Sequence, residues 1–174
     1  VKYLGAEVRE GGAGQPPKLY IMPEYVPGGS VRQLLEAFHS FSEAVVRIYG
    51  TQILRGLGYL HDHDICHRDI KGANVLLDEK GLVKLADFGA SCNYRDDDCA
   101  KVQAGTPYFM APEIMANQHY TPAADVWSFG GVVLQMATGH FPWVEVKRTS
   151  TADLFSYVTT HNVAPACPTT FSDT

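Results

Sequence analysis

The chain has 174 residues, enough for one well-buried core, and that length favours a single domain. Its 45% hydrophobic content is ordinary for a globular protein, and its apolar runs are too short and interrupted for a membrane-spanning helix. Fourteen Lys and Arg against nineteen Asp and Glu give a net charge of -5 with no basic block, which argues against nucleic acid or membrane partners.

The first residues, Val1 to Val8, read as a strand rather than a signal peptide, and without an initiator Met the start is expected to be a cut or an incomplete gene model. Strands are predicted over roughly 1–9 and 18–26, joined as a hairpin through a Gly/Pro-rich loop. The break Pro27-Gly28-Gly29-Ser30 leads into a short helix over Val31–Ala37 with Ser30 as N-cap. From Glu43 to Leu60, Val46, Tyr49, Ile53, Leu57 and Leu60 recur at helical spacing, and Ser40 and Glu43 stand at the capping-box interval. Short strands Val75–Leu77 and Val83–Leu85 flank a turn. The long loop after them, up to Glu113, has a length that usually signals function. An apolar helix follows over Ala124–Ala137, its Met and aromatic residues read as core, and a weaker amphipathic one over Thr151–Val158.

The chemistry concentrates in His67-Arg68-Asp69-Ile70-Lys71-Gly72-Ala73-Asn74 and, one hairpin later, Asp87-Phe88-Gly89. Phosphoryl transfer needs metal ions on the triphosphate, a carboxylate to orient the attacking hydroxyl, and a cation on the moving phosphoryl group. Asp69 offers the carboxylate and Lys71 the cation. Asn74 and Asp87 offer oxygen ligands that suit Mg2+, and the hairpin between them returns both to one edge.

These segments, with Ala111-Pro112-Glu113 and Asp125-Val126-Trp127-Ser128-Phe129-Gly130, resemble the eukaryotic serine/threonine protein kinase family in order and spacing along essentially the whole chain. The resemblance implies a two-lobed α+β fold, cut short at both ends. Residues 1–29 would be the last small-lobe strands and hinge, and 30–174 the large lobe. It implies that Asp69 is the catalytic carboxylate, that Lys71 contacts the γ-phosphate, that Asn74 and Asp87 hold magnesium, and that Thr106 bonds Asp69 and Lys71. It further implies that the Glu24 carbonyl and Val26 amide bind adenine over Leu76, and that Asp125 ties down the catalytic-loop backbone. Gly105-Thr106-Pro107-Tyr108 is similar to serine/threonine rather than tyrosine kinases, and the whole is most like MAP kinase kinase kinases. ATP and Mg2+ are the implied cofactors, and downstream kinases the implied substrates. A non-catalytic scaffold built from a decayed kinase is the alternative, and the intact Asp69, Lys71, Asn74 and Asp87 weigh against it.

Pro23 stands at the family's gatekeeper position, which leaves two readings: a distorted strand end or an error in the sequence. His61, His63, Cys66 and His67 are set aside as a zinc cluster. The four cysteines lack a CxxC pair, so reduced thiols in a cytoplasmic setting are expected. Val102 and Ala104 replace the Ser or Thr that related kinases phosphorylate, and one carboxylate of Asp96-Asp97-Asp98 is a candidate stand-in for the phosphate near Arg68. By resemblance, a Gly-rich loop and a strand lysine precede Val1, and the cation partner of Glu113 lies beyond the C-terminal end. The 174-residue chain alone is therefore expected to be inactive and prone to aggregate. Robust peptide phosphorylation by the purified chain, or a sharp reversible melt above about 50 °C, would overturn this.

Overall fold

A β-hairpin opens the chain. Strands β1 (Tyr3–Arg9) and β2 (Lys18–Pro23) pair antiparallel, with Arg9 opposite Lys18 and Tyr3 opposite Pro23. The computed structural model describes residues 1–12, 14–96, 99, 104–146, 150–161 and 163–168; Asp97, Asp98 and Val102, singled out above, lie outside the described residues. β2 was expected to run to residue 26 and stops at Pro23. Proline has no amide for the ladder, and the register slips between Tyr3 and Gly5 directly opposite it. The Glu24 N–H still reaches the Lys2 carbonyl at 2.8 Å, after which the backbone leaves the ladder. Of the two readings of Pro23, the distorted strand end matches this geometry.

Helix α1 (Val31–Phe38) begins at Ser30 as expected. The Gln33 N–H donates to the Ser30 hydroxyl at 3.2 Å, while the Ser30 N–H donates back to Gln33 Oε1 at 2.8 Å. Helix α2 (Glu43–Asp62) does not form the expected Ser40–Glu43 box. Its N-cap is Ser42, so Glu43 is the first helical residue and its carboxylate pairs with Arg47 at 2.8 Å instead. The entry to α2 is fixed by the Phe41 N–H on the Met136 carbonyl, a tertiary bond that spacing along the chain does not reveal.

Beyond α2 come β3 (Ile65–Cys66), β4 (Val75–Leu77), β5 (Val83–Leu85) and β6 (Cys92–Asn93), forming the antiparallel pairs β3–β6 and β4–β5. The β4–β5 hairpin lies where the sequence placed it; β3 and β6, two residues each, are too short to leave a periodic signal. The later helices are α3 (Pro112–Met115), α4 (Pro122–Thr138) and α5 (Thr151–His161). No helix among the described residues is long and apolar enough to cross a membrane.

Two apolar clusters hold these elements. In the first, Val31, Leu35, Ile53, Leu57, Ile70, Val75, Val132 and Met136 draw α1, α2, α4 and the β4–β5 hairpin together. In the second, Met110, Ile114, Met115, Tyr120, Ala124, Trp143, Leu154 and Val158 seat α3 and α5 against the start of α4. Each such side chain contributes about 1.5–3 kcal/mol on full burial, so α4, which serves both clusters, is the frame for everything between them. By contrast, Tyr3, Leu4, Val8, Leu19 and Ile21 of the hairpin are all exposed.

At the end of α4, Gly139 takes a left-handed conformation (φ 76°), and a Cβ there would sit 2.0 Å from the His39 carbonyl oxygen. Gly139→Ala combines backbone strain with a collision against backbone. It should cost on the order of 2 kcal/mol or more, measured by urea unfolding of the protein carrying this chain.

Candidate active site

The segment from His67 to Asn74 connects β3 to β4 without regular structure, so something else must fix its backbone. That something is Asp125, fully buried in the first turn of α4. Its Oδ2 accepts the His67 N–H at 2.8 Å and its Oδ1 the Arg68 N–H at 2.9 Å. His61 Nε2 adds a 2.9 Å contact and the Tyr120 hydroxyl a 3.4 Å one. Arg68 is thereby held at φ 70°, a conformation non-glycine residues rarely adopt. The turn it makes aims the next side chain, Asp69, outward. Asp125 was expected to tie down this backbone and does so.

Four of the expected site residues converge. Lys71 Nζ donates to Asp69 Oδ2 at 2.7 Å and to Thr106 Oγ1 at 2.9 Å, and the Thr106 hydroxyl donates to Asp69 Oδ1 at 2.8 Å. Asn74 Nδ2 donates to the Asp69 carbonyl at 2.8 Å and to its Oδ2 at 3.1 Å. Partial burial pushes the Asp69 carboxyl up, but the Lys71 ammonium with the Thr106 and Asn74 hydrogen bonds outweighs it, and the net effect holds the group below its ordinary range. The carboxylate is thus ionised yet sheltered, with 13% of the side chain exposed.

Thr106 comes from a distant part of the sequence. Gly105 brings it in, at φ 119° and so close that a Cβ would lie 2.8 Å from the Arg68 carbonyl. Pro107–Phe109 then turns as a short 3-10 helix, and the Ser128 hydroxyl holds the Phe109 carbonyl at 2.8 Å.

Asp87 stands at the end of the β4–β5 hairpin, which the Ala86 N–H closes onto the Asn74 carbonyl at 2.9 Å. It is exposed and left-handed (φ 63°), with its carboxylate turned to the Gly89 N–H at 3.4 Å. Asn74 and Asp87 share this edge through backbone, and no direct bond joins their side chains among the described residues. Asn74 donates through its nitrogen, which leaves Oδ1 as an acceptor. Two hard oxygen donors on one edge fit a magnesium ion. The His67 ring lies tilted against Phe88, with centroids 4.9 Å apart, and meets the Ala86 carbonyl at 3.1 Å.

At the other end, Val26 is buried and Leu76 half-buried, and the Ser30–Leu76 bridge ties the two segments together. The Glu24 carboxylate is bound by Lys84 of β5 and by the Lys2 N–H at 3.0 Å; the Lys84 hydrogen bond chiefly holds its carboxyl below the ordinary range. Among the described residues, the Glu24 carbonyl and Val26 amide enter no hydrogen bond.

Some expectations need correction, and some contacts went unforeseen. Cys92 and Cys99 are joined as a disulfide, and only Cys66 and Cys167 are free thiols. The pairing of β6 with β3 and the turn after it bring together two cysteines whose spacing matches no familiar motif. Of the residues set aside as a zinc cluster, His61 and Cys66 do approach each other, along with Asp125. Asp125 is already committed to two backbone amides, and burial pushes the Cys66 thiol up to about 12. The Arg68 guanidinium donates to the Cys99 carbonyl at 3.1 Å and lies over the Tyr120 ring. Asp96 is exposed and forms no ion pair among the described residues. Tyr120 and Cys99 were missed because no local pattern marks a residue whose partner is far along the chain.

The protein kinase domain profile matches residues 9–172, and the chain belongs to the protein kinase family. Its α+β elements are the corresponding part of that family's two-lobed fold, and the family generally uses ATP and Mg2+. The chain is similar to mitogen-activated protein kinase kinase kinase ANP1 of Arabidopsis thaliana, 47% identical over 99% of this chain and 25% of that protein. It is also similar to mitogen-activated protein kinase kinase kinase A of Dictyostelium discoideum (41% identical, 99% of this chain, 18% of that protein) and kinase kinase kinase 3 of Homo sapiens (43%, 89% and 25%). It spans a quarter or less of the length of these relatives. The group resemblance read from the sequence is borne out.

Two outcomes follow from the anchor and its neighbour. Asp125→Ala leaves two buried N–H groups without an acceptor and should destabilise the protein by about 3 kcal/mol or more, seen in denaturant unfolding. Burial, foremost, lowers the His67 pKa from its ordinary 6.5, so the unfolded chain takes its proton first. That stabilisation is complete above pH 6.5 and is lost as pH falls below it. The corresponding drop in melting temperature should be smaller in His67→Gln.

Proposed function

We propose that the protein carrying this chain transfers the γ-phosphoryl group of Mg·ATP to Ser or Thr hydroxyls of protein substrates, which are downstream kinases of a MAP kinase cascade. The observation that carries this reading is the closed network of Asp69, Lys71, Thr106 and Asn74. Asp69, ionised at neutral pH, accepts a hydrogen bond from the incoming hydroxyl and aligns its oxygen on the phosphorus. Lys71 is held within reach of both Asp69 and the transferred group, where an ammonium offsets the negative charge on the phosphoryl oxygens. Thr106 locks the pair from the substrate side, and the names of the relatives, kinase kinase kinases, support a protein, itself a kinase, as the substrate.

Magnesium, when bound, neutralises the triphosphate; Asn74 Oδ1 and the Asp87 carboxylate are the residues that would hold it. The Glu24 carbonyl and Val26 amide, with the Leu76 side chain, are the groups offered to adenine. The intact network leaves nothing to favour a scaffold without catalysis.

In the complete kinase, Asp69→Asn should lower kcat by about 10²–10⁴-fold while nucleotide binding persists. Asp87→Asn should abolish magnesium-dependent turnover. Incubation with recombinant MAP kinase kinases should yield phosphoserine or phosphothreonine by mass spectrometry. Full activity in Asp69→Asn, or phosphotyrosine as the product, would overturn the assignment.

A further inference from the structure

Cys92 and Cys99 take no part in the phosphotransfer geometry, yet Cys99 touches Arg68, the residue before Asp69. They are joined as a disulfide across seven residues, with Cα atoms 5.6 Å apart. One end is fastened to β3: Cys92 pairs with Cys66, the Tyr94 N–H donates to the Asp64 carbonyl at 3.0 Å, and Arg95 and the Tyr94 hydroxyl both hold the Asp64 carboxylate. The other end meets the catalytic loop. The Cys99 carbonyl accepts from Arg68 Nη1 at 3.1 Å, and its Sγ lies 3.8 Å from the same nitrogen.

Arg68 adjoins Asp69, and its own carbonyl packs on Gly105, the residue that delivers Thr106. The crosslink therefore fixes the span between β3 and the guanidinium beside the catalytic carboxylate. From Cys92 to Gly105 the sequence holds no Ser or Thr, and the one hydroxyl there, that of Tyr94, is bonded to the Asp64 carboxylate at 3.1 Å.

We propose that Cys92 and Cys99 form a reversible disulfide that does the work of a loop phosphate, holding Cys99 on Arg68 when oxidised and releasing it when reduced. The activity change this implies rests on the kinase reading above; the crosslink itself does not. Disulfides in reducing compartments are typically transient sensors, which suits a switch.

The chemistry needs a hydroperoxide as oxidant. In the reduced pair, Cys99, whose Sγ lies beside Arg68 Nη1, is the attacking group and reacts as its thiolate. That thiolate attacks the peroxide, the O–O bond breaks, and a sulfenic acid forms with release of water or an alcohol. The Cys92 thiol attacks the sulfenic sulfur; the S–S bond forms, the S–O bond breaks, and water leaves with the Cys92 proton. Two thiols lose two electrons and the peroxide gains them. A dithiol reverses the step by thiol–disulfide exchange, becoming a disulfide itself. Cys66, directly across from Cys92, does not compete: it is fully buried, and burial keeps its thiol protonated.

The test uses the complete kinase, reduced with excess dithiothreitol and reoxidised with stoichiometric hydrogen peroxide. After peroxide, a peptide pair linked through Cys92 and Cys99 should be found by non-reducing mass spectrometry, and trypsin should cut more slowly at Arg95. The kcat should be about ten-fold or more higher in the oxidised form, as expected when a segment is ordered, with KM for ATP little changed. Cys92→Ser and Cys99→Ser should stay at the low level in both states, whereas Cys167→Ser should switch like the parent. Because the bond is broken chemically in the unmutated protein, the result does not depend on the variants folding. No linked peptide after peroxide, equal kcat in both states, or switching that survives Cys99→Ser would overturn the proposal. If the linked peptide and Arg95 protection are seen but neither state phosphorylates any kinase substrate, the clamp stands and the kinase reading falls.

Discussion

A carboxylate withdrawn from water must have its lone pairs taken, and Asp125 meets that demand with the backbone of the loop it supports. The arrangement serves both partners. The charge is satisfied by two amides, and the amides of His67 and Arg68, which belong to no helix or sheet, are satisfied by the charge. Because Asp125 sits on the helix that also joins the two apolar clusters, the loop inherits the rigidity of the core. Removal of that one side chain would leave the strained Arg68 backbone with no reason to hold its conformation.

The polar cluster outside this anchor follows from it. Asp69 leaves the strained turn in one direction, and Lys71 and Asn74, two and five residues on, fold back to it. Only Thr106 comes from elsewhere, and its arrival depends on a glycine that lets backbone touch backbone. Burial and hydrogen bonding oppose one another at Asp69. The hydrogen bonds win, so the site holds a charge it has partly dried.

Much of this was legible in the sequence because motifs of the catalytic loop are local. Asp69, Lys71 and Asn74 fall within six residues, and the hairpin that returns Asp87 is announced by two short apolar runs around a turn. The long helices showed through their periodicity. What stayed hidden was set by tertiary contact. The start of α2 depends on Met136, far along the chain; β3 and β6 exist only because they pair with each other; and the Cys92–Cys99 bond follows from that pairing. Pro23 was legible as a disturbance, but the shape of the disturbance, a slip in the opposite strand, belongs to β1.

The contact between Glu24 and Lys84 gives the molecule a soft joint. Both side chains are about a quarter exposed, so water and salt reach the pair and screen part of the attraction. Lys84 lies on the strand that ends near Asp87, and Glu24 on the stretch proposed above to offer its backbone to adenine. The two sides of the proposed nucleotide seat are therefore coupled by a partly solvated ion pair rather than through the apolar core. Such compliance lets one side tilt to admit or release a ligand while the catalytic loop, bolted to α4, stays where it is.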